Sequence, residues 1–152
     1  MSAAMTKIDD IRAYVCGGRA TFTIASVMTG VRYTWRVRQA EDRENFYFVD
    51  ALTGSDNEND YTFLGTMRVV PGHVEPYQFY TSTKSPFGRS APSVQGFLWF
   101  CHRIGQDADL DPERVLFWHS GRCSSCGRKL TTPESIERGM GPVCASRVTG
   151  GL

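Results

Sequence analysis

The chain has 152 residues, with 17 Lys and Arg against 16 Asp and Glu and a net charge of +1. That near balance excludes a whole-chain electrostatic drive toward nucleic acid, membranes or acidic ligands. Apolar residues at 41% suffice for the core of one ordinary domain with at most a small appendage, and no run approaches the ~18 apolar residues of a membrane span.

The start, MSAAMTKIDDIRAYV, has no basic segment followed by an apolar one, so no secretory signal is expected. Residues 6–15 read as a short helix. Thr6 is the expected N-cap, Asp9 and Asp10 face the positive end of the dipole, and Ile8, Ile11, Tyr14 and Val15 share one face. Cys16-Gly17-Gly18 ends it, with glycine where a left-handed cap is wanted.

A β-rich region follows. RATFTIASVMTGVRYTWRVRQ holds two alternating runs around Thr29-Gly30. In the second, Val31, Tyr33, Trp35 and Val37 alternate with Arg32, Thr34, Arg36 and Arg38, so one face is buried and the other wet. NFYFVDALTG, YTFLGTMRVV and PYQFYTST read as a third, fourth and fifth strand, separated by Gly, Asn, Asp and Pro turns. Hairpin spacing makes an antiparallel meander the simplest topology. Residues 92–104 read as a covering helix with Ser90 as cap and Val94, Phe97, Leu98, Cys101 and Ile104 as its stripe. After a short turn at Asp111-Pro112-Glu113, VLFWH is expected as an extended link.

The C-terminal part carries the chemistry. Cys16 and Cys101 stand alone, whereas Cys123, Cys126 and Cys144 cluster, which is not a disulfide framework and implies a reducing, cytoplasmic setting. Cys123-Ser-Ser-Cys126 between Gly121 and Gly127 lets two sulfurs converge on one ion inside a tight turn. Cys144 is placed in the first turn of a terminal helix, where the dipole favours thiolate. A structural zinc takes four ligands, and His119 is the expected fourth, giving H-x3-C-x2-C-x17-C. The competing redox-pair reading lacks the strand-to-helix setting of that motif. A knuckle, a link and a helix-borne ligand resemble a treble clef, with the departure that Arg147 stands where a second helix ligand would fall.

The string GRCSSCGRKLTTPESIERGMGPVCA resembles the C-terminal signature of an uncharacterised family of small bacteriophage and prophage proteins, approximately G-R-C-x2-C-G-R-x-L-T-x-P-x-S-I-x-x-G-[IM]-G-P-x-C. Residues 19–118 resemble the longer members more weakly. The resemblance implies a viral origin, hence the host-cell cytoplasm, and a zinc-binding end; it brings no activity.

The fold class expected is therefore α+β. Residues 1–114 form an antiparallel meander of about five strands with one or two helices, and 115–152 form a finger around one structural zinc, docked through Leu116, Phe117 and Trp118. No H-x-E with P-C-x2-C, H-E-x-x-H, G-x-S-x-G or G-x4-G-K-[ST] occurs, so no catalysis or small-molecule substrate is expected. The acidic loop at 55–61 lacks the glycine and terminal glutamate of an EF-hand and reads as solvated. Two partner classes remain. The segment 117–152 has five basic residues, Arg122, Arg128, Lys129, Arg138 and Arg147, against Glu134 and Glu137, and with Arg32, Arg36 and Arg38 it points to nucleic acid. The alternative is a host protein, such as a defence nuclease, contacted through the acidic 41–60 segment and the aromatic sheet.

Overall fold

The computed structural model describes residues 4–56, 58–131, 133–141 and 143–145. Strands β1 (Arg19–Ser26), β2 (Arg32–Gln39), β3 (Phe46–Leu52), β4 (Tyr61–Val69), β5 (Tyr77–Thr81) and β6 (Val115–His119) form one sheet in the order β5-β4-β3-β2-β1-β6. Every neighbouring pair is antiparallel. The five-strand meander thus gains a sixth strand. VLFWH is not a link: it pairs with the free edge of β1 from Phe22↔His119 to Ser26↔Val115. Pairing satisfies an edge that would otherwise present bare N–H and C=O groups. It also places the start of the 115–152 segment within the sheet.

Helices α1 (Ile8–Val15) and α2 (Pro92–Ile104) lie on one face. The core there is aromatic: Phe22 stacks on Phe117 at 4.9 Å and meets Phe100 at 5.0 Å, and Trp35 meets Phe97 edge-on at 5.1 Å. Both helices lack the side-chain caps expected for them. The N-cap of α1 is Lys7, and Asp109 from a distant loop accepts the Ile8 N–H at 2.9 Å in place of Thr6. The N-cap of α2 is Ala91, not Ser90, with Pro92 opening the first turn. Phe100 joins the α2 stripe as a fully buried residue, while Leu98 packs only partly. Among the described residues no helix is long and apolar enough to cross a membrane.

A register shift between Val49 and Asp50, opposite Phe63 and Gly65, is a β-bulge. One extra residue in β4 keeps Tyr61 and Phe63 on the same face as Thr66 and Arg68, and turns Leu64 and Met67 into the core. Gly65 sits where a Cβ would overlap the Tyr80 carbonyl oxygen. Gly65→Ala is expected to loosen the edge strand β5 and cost about 1–3 kcal/mol, read as a fall in the thermal midpoint.

Candidate functional site

The cysteine segment folds as a small hairpin followed by two short helical pieces. Gly121 (φ +85°) and Gly127 (φ +79°) adopt left-handed backbone on either side of the C-x2-C. The Cys123 N–H donates to the Arg128 carbonyl at 2.8 Å, Gly127 N–H to the Cys123 carbonyl at 2.9 Å, and Leu130 N–H to the Gly121 carbonyl at 2.9 Å. Arg122 and Lys129 bridge across the hairpin. Helix α3 (Pro133–Arg138) ends at Gly139 (φ +74°), and residues 143–145 resume helical backbone and carry Cys144. Beneath them Cys123, Leu130, Met140, Cys144 and Ala145 form a separate cluster that touches Ala13 and Ile136.

This folding brings Cys123, Cys126 and Cys144 together, with all three sulfurs within 4.8 Å of one another. Sulfurs around a tetrahedral zinc lie about 3.8 Å apart for Zn–S bonds of ~2.3 Å, so the donors fit a thiophilic cation. Their electrostatics agree. Burial raises the Cys123 thiol, but hydrogen bonds from the Cys126, Gly141 and Ser125 backbone and the Cys126 side chain outweigh it and bring its pKa down to about 7. Cys144 is held above the ordinary thiol value, first by burial and then by the neighbouring sulfurs of Cys123 and Cys126. Three thiolates this close repel one another unless a cation lies between them. Metal loading at such a site displaces protons and weakens as pH falls. The five cysteines are all free thiols. Cys16 and Cys101 belong to the core, where burial drives their thiols up, that of Cys16 to about 11.

His119 is not among the converging donors. Its Nδ1 accepts the Gly121 N–H at 2.9 Å, and its Nε2 hydrogen-bonds the Ile136 carbonyl oxygen. Those roles define the neutral ring with the proton on Nε2, and burial lowers its pKa, outweighing the Ile136 carbonyl, which raises it. It sits buried on the inward face of β6, 5.5 Å from the Tyr14 ring. The residue expected as fourth ligand thus ties the knuckle to α3. Sequence spacing alone does not separate these roles, because both need a histidine one short loop before Cys123.

The 115–152 segment joins the sheet through Leu116, Phe117 and Trp118, which pair with Ala25, Ile24 and Thr23, and its knuckle docks further on the corner between α1 and β1. Arg19 N–H donates to the Ser124 carbonyl at 2.6 Å. Gly17 and Gly139 leave room where a Cβ would overlap Ser124 Oγ and the Tyr14 ring respectively. Phe117 lies in the main core, and Trp118 lies half-buried on the other face under Arg32.

Of the basic residues, Arg122, Arg128 and Lys129 project from the knuckle and are exposed. Arg138 is exposed elsewhere, among Asp9, Asp10, Glu134 and Glu137. Arg147 lies outside the described residues. Arg32, Arg36 and Arg38 share the sheet face opposite the helices. Residues not singled out in the sequence join them there. Arg36 lies over Tyr61 at 4.3 Å, Arg43 over Phe46 at 4.6 Å, Arg38 over Phe48 at 5.6 Å, and Arg68 over Phe46 and Tyr80 at 5.4 and 5.2 Å. The signal was present as period-two alternation in β3 and β4, with Phe46 and Phe48 two apart and Tyr61 and Phe63 two apart. Asp50, 3% exposed, receives Arg38 Nε at 2.8 Å and Arg36 Nε at 3.1 Å.

Residues 118–149 match the model of a family of unknown function (DUF6011). The matched segment contains the knuckle, α3 and all three clustered cysteines, and begins inside β6, so most of the sheet lies outside it. No curated protein and no solved structure matches the chain.

Proposed function

We propose that the protein is a non-catalytic binder of single-stranded nucleic acid, with the outer sheet face as its platform and a finger held by one zinc ion at its side. The observation that carries this reading is the set of six arginine–aromatic stacks on a face that neither long helix covers. Single strands expose base faces, which stack on aromatic rings and guanidinium planes at about 1–3 kcal/mol each, while arginines hold the phosphates.

The register arranges these groups in a row. Arg19 opposes Arg38, Arg38 opposes Phe48, Phe48 opposes Thr66, and Thr66 opposes Tyr80. The row crosses five strands, about 19 Å at ~4.8 Å per strand. At its β1 end Arg19 packs against Gly127, so the exposed basic residues of the knuckle extend it. Nearer β6, Thr21, Thr23, Arg32, Thr34, Tyr61 and Trp118 line a groove of about 480 Å³ on the same face. Duplex DNA offers such a face no unstacked bases, so single strands are expected to bind more tightly.

Asp50 sets the charge of this face by neutralising part of two arginines. Asp50→Asn is expected to tighten oligonucleotide binding about threefold at low salt by removing that charge. It should also lower stability by about 1–3 kcal/mol by weakening charge-assisted hydrogen bonds. Fluorescence anisotropy and thermal unfolding read the two effects separately. Placement is tested by photocrosslinking a bromodeoxyuridine oligonucleotide: adducts on Phe48, Tyr61 or Trp118 support the reading, and adducts confined to the helical face oppose it.

A further inference from the structure

The three clustered sulfurs are one donor short of the four that zinc takes in closed structural sites. His119 is engaged at both ring nitrogens by Gly121 and Ile136. The segments outside the described residues, 1–3, 57, 132, 142 and 146–152, contain no Cys, His, Asp or Glu to complete the set. The sulfurs are also unequally covered: Cys123 is 0% and Cys144 7% exposed, whereas Cys126 is an exposed residue. The cluster is therefore approachable from one side, past Cys126, next to the exposed Ser125 and Arg122.

We propose that the fourth coordination position of this centre is filled from outside the chain by an exchangeable small thiol, entering beside Cys126. The proposal rests on the metal reading of the three cysteines. Zinc with three thiolates carries a net charge of −1, and a fourth thiolate makes it −2. Arg122, Arg128 and Lys129 on the same hairpin offset that charge, which favours an anionic sulfur donor over a neutral imidazole. The exchange is a ligand substitution. With a metal bound, the thiol would take the place of water and give its proton to solvent as the metal–sulfur bond formed, and nothing would be oxidised or reduced. His119 is then a positioning residue, joining the knuckle to α3 so that Cys123 and Cys144 face one another.

The test uses the full chain loaded with Co(II), whose visible bands report coordination and whose near-ultraviolet band reports thiolate donors. At saturating cobalt, His119→Gln is expected to keep the wild-type band positions while binding the metal more weakly, because the ring holds the knuckle to α3 and donates nothing to the metal. Adding 2-mercaptoethanol, with cobalt still bound at one per chain, is expected to shift the visible bands and raise the thiolate band by about a third, four donors against three. Imidazole at equal concentration is expected to shift them less. A spectrum that ignores added thiol and changes in His119→Gln overturns the proposal and makes His119 the fourth ligand. A larger response to imidazole than to thiol overturns the choice of sulfur. Absence of any thiolate-to-cobalt band is a different failure, that of the metal site itself. If His119→Gln does not fold, the thiol and imidazole titrations of wild type decide alone.

Discussion

Cys126→Ser is expected to abolish stoichiometric zinc binding and release the C-terminal segment from Gly121 onward, while the sheet remains folded. Among the described residues, the apolar cluster of this segment has five buried members, Cys123, Leu130, Met140, Cys144 and Ala145, and two of those are proposed ligands. So small a core does not offset the entropy of ordering the chain around it. On the proposed reading a bound metal supplies the difference, since apparent binding free energies are about 10–16 kcal/mol for small zinc modules near neutral pH. Hydrogen exchange should show the loss locally. The amides of Cys123, Gly127 and Leu130, which close the knuckle, lose protection, and those of the β2–β3 ladder keep it. Cys101→Ser is the control. Cys101 is buried on α2 in the main core, so its replacement lowers overall stability by about 1–3 kcal/mol and leaves the zinc content unchanged.

Replacing Arg19, Arg32 and Arg68 together by Ala is expected to weaken oligonucleotide binding about a hundredfold at low salt, and to reduce the slope of log K against log salt by about 2. These three are exposed and do not pair with the buried Asp50, unlike Arg36 and Arg38, so their loss does not strand a buried charge. Stability should fall by no more than about 1.5 kcal/mol, roughly 0.5 for each of the three exposed positions. A variant that loses affinity without a change in salt slope would show that these guanidinium groups act through stacking alone.

How much of this was legible in the sequence varies with the physical origin of each feature. The alternation of Tyr33, Trp35 and Val37 with Arg32, Thr34, Arg36 and Arg38 is a local signal, and the two sides fall as that period requires. The spacing of Cys123, Cys126 and Cys144 is likewise local to one segment, and the sulfurs converge. What sequence could not show depends on distant partners. Thr6 and Ser90 have the chemistry of helix caps, yet Asp109 supplies the acceptor for the first helix, and Pro92 follows an uncapped Ala91 in the second. VLFWH has strand propensity, but its role as β6 depends on the free edge of β1 some ninety residues earlier. His119 fits ligand spacing, and only the approach of the Ile136 carbonyl gives its ring another task. On the outer face, alternation placed the β2 arginines, but the partners that stack under them come from β3, β4 and β6. Arg138 shows the reverse error. Sequence grouped it with the knuckle residues, and the fold sets it among acidic neighbours.

The cysteine cluster and the sheet face meet at Arg19, whose backbone holds Ser124 and whose side chain packs on Gly127. The finger thereby fixes the β1 edge of the proposed platform. Loss of metal is expected to reduce oligonucleotide affinity less than the triple arginine substitution does, because the stacks on β2 to β5 lie outside the segment that unfolds.

The measurement that tests the central claim most directly is an anisotropy titration of the zinc-loaded protein with a labelled single-stranded oligonucleotide and its duplex, at 50 and 200 mM salt. The expected result is tighter binding of the single strand and a steep loss of affinity at the higher salt. Absence of binding to the single strand at 50 mM salt, or equal affinity for the duplex, would contradict it.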